Sequence, residues 1–283
     1  MPRLTVGSLF SGIGGFDLGF ERAGFEIRWQ VEIDPFCRKV LEKHWPAVKR
    51  YEDVRTVYWG NVELVDVIVG GFPCQPVSLV GQRKAQEDSR WLWPHFRTAV
   101  CILRPRYIVV ENVPGLRSSG FDEVLGDLAA LGLDAEWESV PASAAGAEHI
   151  RDRVWIVAYP SRVQLQHQSP SRFVGARYSR AWPIPEQAPI LADSAWEQAW
   201  SAQSRKRAEE MFARGQVSSE QIRGRGCYLG GFDRIPEPAV GRMAHGIPNR
   251  LDRLAGLGNS IYPRISEWIA RRILEAEERL THV

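Results

Sequence analysis

At 283 residues the chain can form one sizeable core and a smaller second region. Its apolar and charged fractions, 44% and 25%, are those of a globular protein. No apolar run approaches the roughly 20 residues that cross a bilayer, which argues against a membrane protein. The net charge of +2 names no partner by itself. The N-terminus runs straight into an apolar strand and has no signal-peptide architecture. Cys37, Cys74, Cys101 and Cys227 form no CxxC pair and no zinc-type spacing with histidine. Free thiols in a reducing, cytoplasmic setting and no metal are therefore expected.

Residues 4–10 form a short apolar run that ends in Ser11-Gly12-Ile13-Gly14-Gly15. A helical pattern follows, with Phe16, Phe20 and Ala23 on one face and Gly24 as its stop. Residues 27–33 read as a second strand. Pro35 then suits the first position of a helix that reaches about His44. Residues 66–69 are a third apolar run, ending in Gly70-Gly71-Phe72-Pro73-Cys74. Residues 91–103 look helical. Residues 107–110 are a fourth run, ending in Glu111-Asn112. A helix over 121–131 precedes strands near 135–140 and 154–159.

Strands that alternate with helices predict an α/β domain, a mostly parallel sheet covered on both faces. Ligands of such sheets bind beyond the carboxyl ends of the strands, where the glycine cluster, Cys74 and Glu111 all fall. At about Pro160 the character changes. Residues 160–245 are rich in Ser, Gln, Pro, Arg and Trp. They hold twelve Arg or Lys against eight Asp or Glu, whereas residues 1–159 hold 18 against 21. Eleven of the twelve are arginine, whose planar fork suits phosphates and base edges, although a solvated basic surface has the same composition. The expected division is a discontinuous domain, 1–159 with 246–283, and a small irregular domain, 160–245. A last helix over 265–280 places Ile265, Trp268, Ile269, Ile273 and Ala276 on one face, to pack back on the sheet.

Within this frame several residues can carry chemistry. The glycine cluster lets backbone approach a ligand at a helix N-terminus, although such a turn can be merely tight. Glu32, about 20 residues on, is placed to accept ribose hydroxyls or to be a solvated strand-end acid. Cys74, between Pro73 and Pro76 on a strand-end turn, reads as a nucleophile rather than core filler. Glu111 is an acid tuned by burial or a cap. Arg151 and Arg153 alternate at a strand entry and so share one face, opposite Asp152, to meet a phosphate or carbonyl oxygen or to line an exposed edge.

Together these segments resemble the cytosine-5 DNA methyltransferase family. The match is ordered over most of residues 5–159 and resumes at 242–266. Phe10-Ser11-Gly12-Ile13-Gly14-Gly15 resembles the family's cofactor loop, Glu32-Ile33-Asp34 its ribose-binding segment, and Asp53-Val54 the segment near the adenine. Gly71-Phe72-Pro73-Cys74-Gln75-Pro76 is similar to the catalytic Pro-Cys loop and Glu111-Asn112-Val113 to the catalytic Glu motif. Arg151-Asp152-Arg153 resembles the paired-arginine motif, and Gly258-Asn259-Ser260 the last motif, which folds back onto the cofactor pocket. Three positions depart from the pattern. His149 stands where the family usually has Gln, Ile33 where an aromatic residue is common, and Arg242-Met243-Ala244-His245-Gly246 matches its motif only loosely.

The resemblance implies a Rossmann-like fold that uses S-adenosyl-L-methionine and leaves S-adenosyl-L-homocysteine. It implies cofactor contacts from Phe10, Gly12, Gly14, Glu32, Ile33, Asp53, Val54, Pro73 and Asn259. Cys74 would attack carbon 6 of a flipped-out cytosine while Glu111, Arg151 and Arg153 stabilise the ring. Gln82 and Arg83, in the polar segment 81–86, would lie on a loop that closes over DNA. Residues 160–245 would choose the target sequence. The expected partner is double-stranded DNA, with a separately encoded restriction endonuclease a further possibility, and the expected state is a monomer. Cytosine methylation in tRNA and a non-catalytic DNA-binding relic are the competing functions. A dinucleotide oxidoreductase would leave Cys74 and Glu-Asn-Val without a role.

Overall fold

The computed structural model describes residues 3–73, 91–118, 120–160, 256–257 and 259–281. Seven strands form one sheet in the order β3-β2-β1-β4-β5-β7-β6. They are β1 (Thr5–Leu9), β2 (Glu26–Val31), β3 (Lys49–Tyr51), β4 (Val67–Gly70), β5 (Tyr107–Asn112), β6 (Leu133–Pro141) and β7 (Asp152–Pro160). The first five are parallel, whereas β7 runs antiparallel between β5 and β6. The helices are α1 (Gly15–Ala23), α2 (Pro35–His44), α3 (Trp93–Leu103), α4 (Phe121–Ala130) and α5 (Pro263–Thr281).

The central strands are apolar throughout because both their faces are covered. Alternation sends Ile68, Ile108, Val110 and Ile156 to one side, where α3 and α4 bring Phe96, Val100, Val124 and Leu128. It sends Val67, Val69, Val109 and Val157 to the other, against Phe16 and Phe20 of α1 and Ile265, Ile269 and Ile273 of α5. The isoleucines of α5 recur every fourth residue, so a single stripe faces the core. At its far end Glu277 accepts hydrogen bonds from Arg106 and from the Tyr107 hydroxyl, tying the last helix to the start of β5.

The expected helices and strands are present, with shifted ends and one addition. The second strand stops at Val31, two residues early; the Glu32 amide still donates to Tyr51 O at 3.0 Å, while its carboxylate reaches the glycine turn. The two last strands extend to nine residues each by pairing with one another as a hairpin on the β5 edge. β3 was not anticipated. Lys49-Arg50-Tyr51 carries no apolar alternation and is a strand only through its pairing with Trp29, Gln30 and Val31. Of the domain expected over 160–245, all but Pro160 lies outside the described residues. Among the described residues, no helix is long and apolar enough to cross a membrane.

Candidate active site

The carboxyl ends of β1, β2, β4 and β5 open on one rim of the sheet, and β7 enters there from the opposite direction. The first feature of this rim is the turn from β1 into α1. Phe10 takes φ +52° and Gly12 φ +55°, and Gly14 caps the helix at φ +90°. A Cβ added to Gly12 would meet no atom within 4 Å, so the turn leaves open space beside bare backbone. Phe10 tolerates its left-handed conformation while its side chain packs against the core. The Glu32 carboxylate accepts from Gly12 N at 2.7 Å and from Asp34 N at 2.8 Å. Burial raises its pKa, and those two amides partly offset the rise.

Around this turn the expected ligand contacts differ in what they can offer. Ile33 is 59% exposed, an aliphatic surface beside the Glu32 carboxylate. Asp34 caps α2, accepting from Phe36 N and Cys37 N. Both oxygens of Asp53 are held by the Arg55 guanidinium, which lowers its pKa. The Val54 side chain is buried in the core, so Val54 can offer a ligand only backbone. The C-terminal segment returns to the same turn. Gly256 lies against Ile13 and Cys37, and the Ile261 carbonyl lies against Gly15. The Ser266 hydroxyl donates to Gly15 O at 3.1 Å. Asn259, between these anchors, is exposed.

The second feature is an acid paired with arginine. Glu111, the penultimate residue of β5, has 8% of its surface exposed, and Arg153 Nε donates to its Oε1 at 3.0 Å. Burial is the largest influence on the Glu111 carboxyl and raises its pKa, while the Arg153 and Arg151 charges pull it down by less. A Cβ on Gly71 would lie 2.8 Å from Glu111 Oε2, so glycine is needed there to let the chain leaving β4 pass the acid. Two residues on stands Pro73, exposed at the rim, and the sequence continues into Cys74.

A third feature was not read from sequence. Asn112 Nδ2 donates to Phe72 O at 3.1 Å and its Oδ1 accepts from Val113 N. The residue after the acid thereby fixes the backbone that leads to Cys74. Its position beside Glu111 was the only available hint. Arg151 and Arg153 both act electrostatically on Glu111, but strand alternation, the expected reason for grouping them, does not apply to Arg151. β7 begins at Asp152, and Arg151 precedes it at φ +38°, so strand alternation does not place its side chain. Arg153 does lie in the strand, opposite Val140. Cys74, Gln82 and Arg83 lie outside the described residues.

Comparisons with known proteins bear on the family and the fold. A profile of the family described as C-5 cytosine-specific DNA methylase matches residues 4–225. The chain is 31% identical over 164 residues to the Type II methyltransferase M2.BsuMI of Bacillus subtilis, covering 55% of this chain and 42% of that protein. It is 31% identical over 230 residues to the Type II methyltransferase M.NaeI of Lentzea aerocolonigenes, covering 72% of this chain and 51% of that one. The chain thus spans about half or less of the length of these curated relatives. A crystal structure provisionally described as a DNA modification methyltransferase encoded within an Escherichia coli prophage matches with a TM-score of 0.59 at 20% identity. That match covers 97% of this chain and 99% of that one, and it supports the fold.

Proposed function

The chain belongs to the C-5 cytosine-specific DNA methylase family, and from that premise we propose that it methylates carbon 5 of a flipped-out cytosine in a specific double-stranded DNA sequence. The observation that carries this reading is the buried Glu111, paired with the half-buried Arg153 and pressed against Gly71, three residues before Cys74.

The residues of the rim suit S-adenosyl-L-methionine. The open backbone at Gly12 and the Glu32 carboxylate beside it would hold the nucleoside end, with Ile33 beneath the base and the Asn259 segment closing the other side. When bound, this group supplies an electrophilic methyl and leaves as S-adenosyl-L-homocysteine. The chain's own residues make the pyrimidine reactive. The Cys74 thiolate adds to carbon 6, and the electron pair of the 5,6 double bond moves to make carbon 5 nucleophilic. Burial raises the Glu111 pKa and so favours the protonated form, which would donate to ring N3 so that negative charge does not accumulate. Arg153, with Arg151 in support, stabilises the O2 side. Once carbon 5 carries the methyl group, loss of its proton restores the double bond and expels the thiolate. No metal is required by this scheme. Residues 160–245, rich in arginine, would choose the sequence, with Gln82 and Arg83 closing on the DNA. The Type II relatives favour pairing with a separately encoded endonuclease, and we take the working form to be a cytoplasmic monomer.

Bisulfite sequencing of DNA from a host that expresses the chain is expected to show methylated cytosine in one sequence context. The Cys74→Ser variant should leave that context unmethylated, and methylation unchanged by the substitution would overturn the role given to the thiol. Glu32→Gln is expected to weaken cofactor binding by about 10- to 100-fold. Glutamine keeps one acceptor oxygen for two backbone donors, so its NH2 opposes either the Gly12 or the Asp34 N–H and a charge-assisted bond of about 1.5–3 kcal/mol is lost. Calorimetric titration of S-adenosyl-L-homocysteine checks this, and an unchanged Kd would remove Glu32 from the pocket.

A further inference from the structure

We propose that Asp17 is a positioning residue for the cofactor pocket, its carboxylate clipping β1 to β2 one residue short of their ends so that Gly12 and Glu32 meet at the spacing the nucleoside requires. This rests on the reading of Gly12 and Glu32 as the groups that hold the nucleoside. The pairing of β1 with β2 shifts register between Val6 and Gly7, so the contact of Thr5 with Glu26 does not dictate those further on. Beyond the shift Ser8 stands opposite Gln30. Asp17 of α1 joins the two side chains. Ser8 Oγ donates to its Oδ2 at 3.1 Å and Gln30 Nε2 to its Oδ1 at 2.8 Å, and all three residues are fully buried. The direction of the Gln30 amide is set from behind. Arg50 of β3 can only donate, and its guanidinium meets Gln30 Oε1 at 3.2 Å, which leaves the NH2 for Asp17. Each oxygen of the acid thus takes a donor from a different strand.

The glycine turn hangs from the same two strand ends. Ser11 N donates to Val31 O at 3.0 Å, Ser11 Oγ to Ser8 O at 3.1 Å, and Gly12 N to the Glu32 carboxylate. A slip of one residue between β1 and β2 would carry Glu32 about 3 Å along the strand, away from Gly12, and turn Gln30 to the far face. Apolar packing holds α1 on the sheet without reading that register; the paired bonds of Asp17 read it. They do so best when the acid is ionised and accepts from both partners. A protonated acid, or asparagine, keeps the bond to Gln30 but must donate towards Ser8, whose own hydrogen is displaced. Burial raises the Asp17 pKa to about 6, and Glu21, one turn on in α1, adds to the rise. Glu21 in turn accepts from the Trp45 indole at the end of α2, with His44 against that ring. β1 and β2 present the Ser8 hydroxyl and the Gln30 amide, Arg50 of β3 lies behind Gln30, and α5, packed on α1, carries the Glu267–Arg271 pair.

Asparagine at this position separates positioning from stability. A buried acid with a raised pKa stabilises the fold fully below its ordinary value of 3.8, and that contribution is lost as pH rises through about 6, where the ionised form opposes folding. Asp17→Asn, always neutral, is therefore expected to melt at or above wild type at neutral pH. It should nevertheless bind S-adenosyl-L-homocysteine about three- to tenfold more weakly there. Below about pH 6 the wild-type acid takes up its proton and the two affinities should converge. The ratio of the two Kd values cancels the titration of Glu32, which both proteins carry. Asp17→Ala, which loses both bonds, should bind about tenfold more weakly or worse. Calorimetric titration of S-adenosyl-L-homocysteine, paired with thermal melts well above and well below that pH, reads all of these. A Kd ratio that stays constant across pH overturns the proposal. So does a loss of affinity in Asp17→Asn that merely follows a loss of Tm, since that marks general stability. Glu32→Gln is titrated alongside. If it weakens binding while both Asp17 variants bind as wild type, the clip alone is refuted. An unchanged Kd in Glu32→Gln refutes the pocket reading and the clip with it.

Discussion

Glutamine in place of Glu111 is expected to lower kcat by about 10²–10⁴-fold, the range for removing a positioned general acid, with the cofactor Kd little changed. Glutamine keeps an oxygen for Arg153 Nε and the same volume beside Gly71, so the fold should survive; what it lacks is a transferable proton. The pH dependence has a definite sign. Burial raises the Glu111 pKa above its ordinary 4.5, outweighing the opposing pull of Arg153 and Arg151. The proton is thus retained to higher pH than on an exposed glutamate, and wild-type kcat should fall as pH rises through the raised value. The contribution to stability runs the same way. It is fully present below the ordinary value and lost as pH rises through the folded one, so the ionised acid opposes folding there. The glutamine variant should show neither dependence. Rapid-quench measurement of labelled methyl transfer across pH checks this, and a variant with wild-type rate and profile would remove Glu111 from the chemistry.

The same acid shows how far sequence reading reaches. Glu111 was legible because a β-branched run ends there in polar residues, whereas the tie that Asn112 makes to Phe72 was not. Arg151 and Arg153 were both legible as cations near the rim, but the alternation argument holds only for Arg153, because the period fails one residue outside the strand, where φ turns positive. β3 was invisible because an edge strand of Lys, Arg and Tyr owes its conformation to a neighbour and not to its own pattern. The contacts that organise the site join residues far apart in the chain: Asn112 with Phe72, and Glu32 with Gly12. Local pattern carries no information about such pairs. Asp17 is the sharpest case. In the fold it is fully buried, accepting from Ser8 Oγ at 3.1 Å and Gln30 Nε2 at 2.8 Å, with its pKa raised to about 6 chiefly by burial. Its partners sit on β1 and β2, so the charge beneath the glycine turn exists only once sheet and helix have met.

That dependence of the turn on packing behind it can be tested at Gly19. Alanine is the better helix former by about 1 kcal/mol, so propensity alone favours Gly19→Ala. Sterics oppose it. A Cβ there would lie 2.0 Å from Ser266 Oγ, which can rotate away, but also 2.6 Å from Pro263 O and 2.7 Å from Glu267 N, which are backbone and cannot. α1 and α5 must separate, and the Ser266 bond to Gly15 O is strained with them. Overpacking of this kind costs about 1–3 kcal/mol and sometimes more, and backbone obstruction argues for the upper end. A net loss of about 2 kcal/mol or more is expected, lowering Tm by roughly 4–8 °C, and cofactor affinity should fall because Gly15 starts the helix beneath the turn. Gly126 of α4 supplies the control. A Cβ there meets nothing within 4 Å, so Gly126→Ala should raise stability by about 0.5–1 kcal/mol and leave cofactor binding alone. Thermal melts of both variants, with and without S-adenosyl-L-homocysteine, should therefore move in opposite directions. If Gly19→Ala instead melts at or above the wild-type temperature, the last helix is not seated on α1 as described, and the closure of the pocket by the Asn259 segment fails with it.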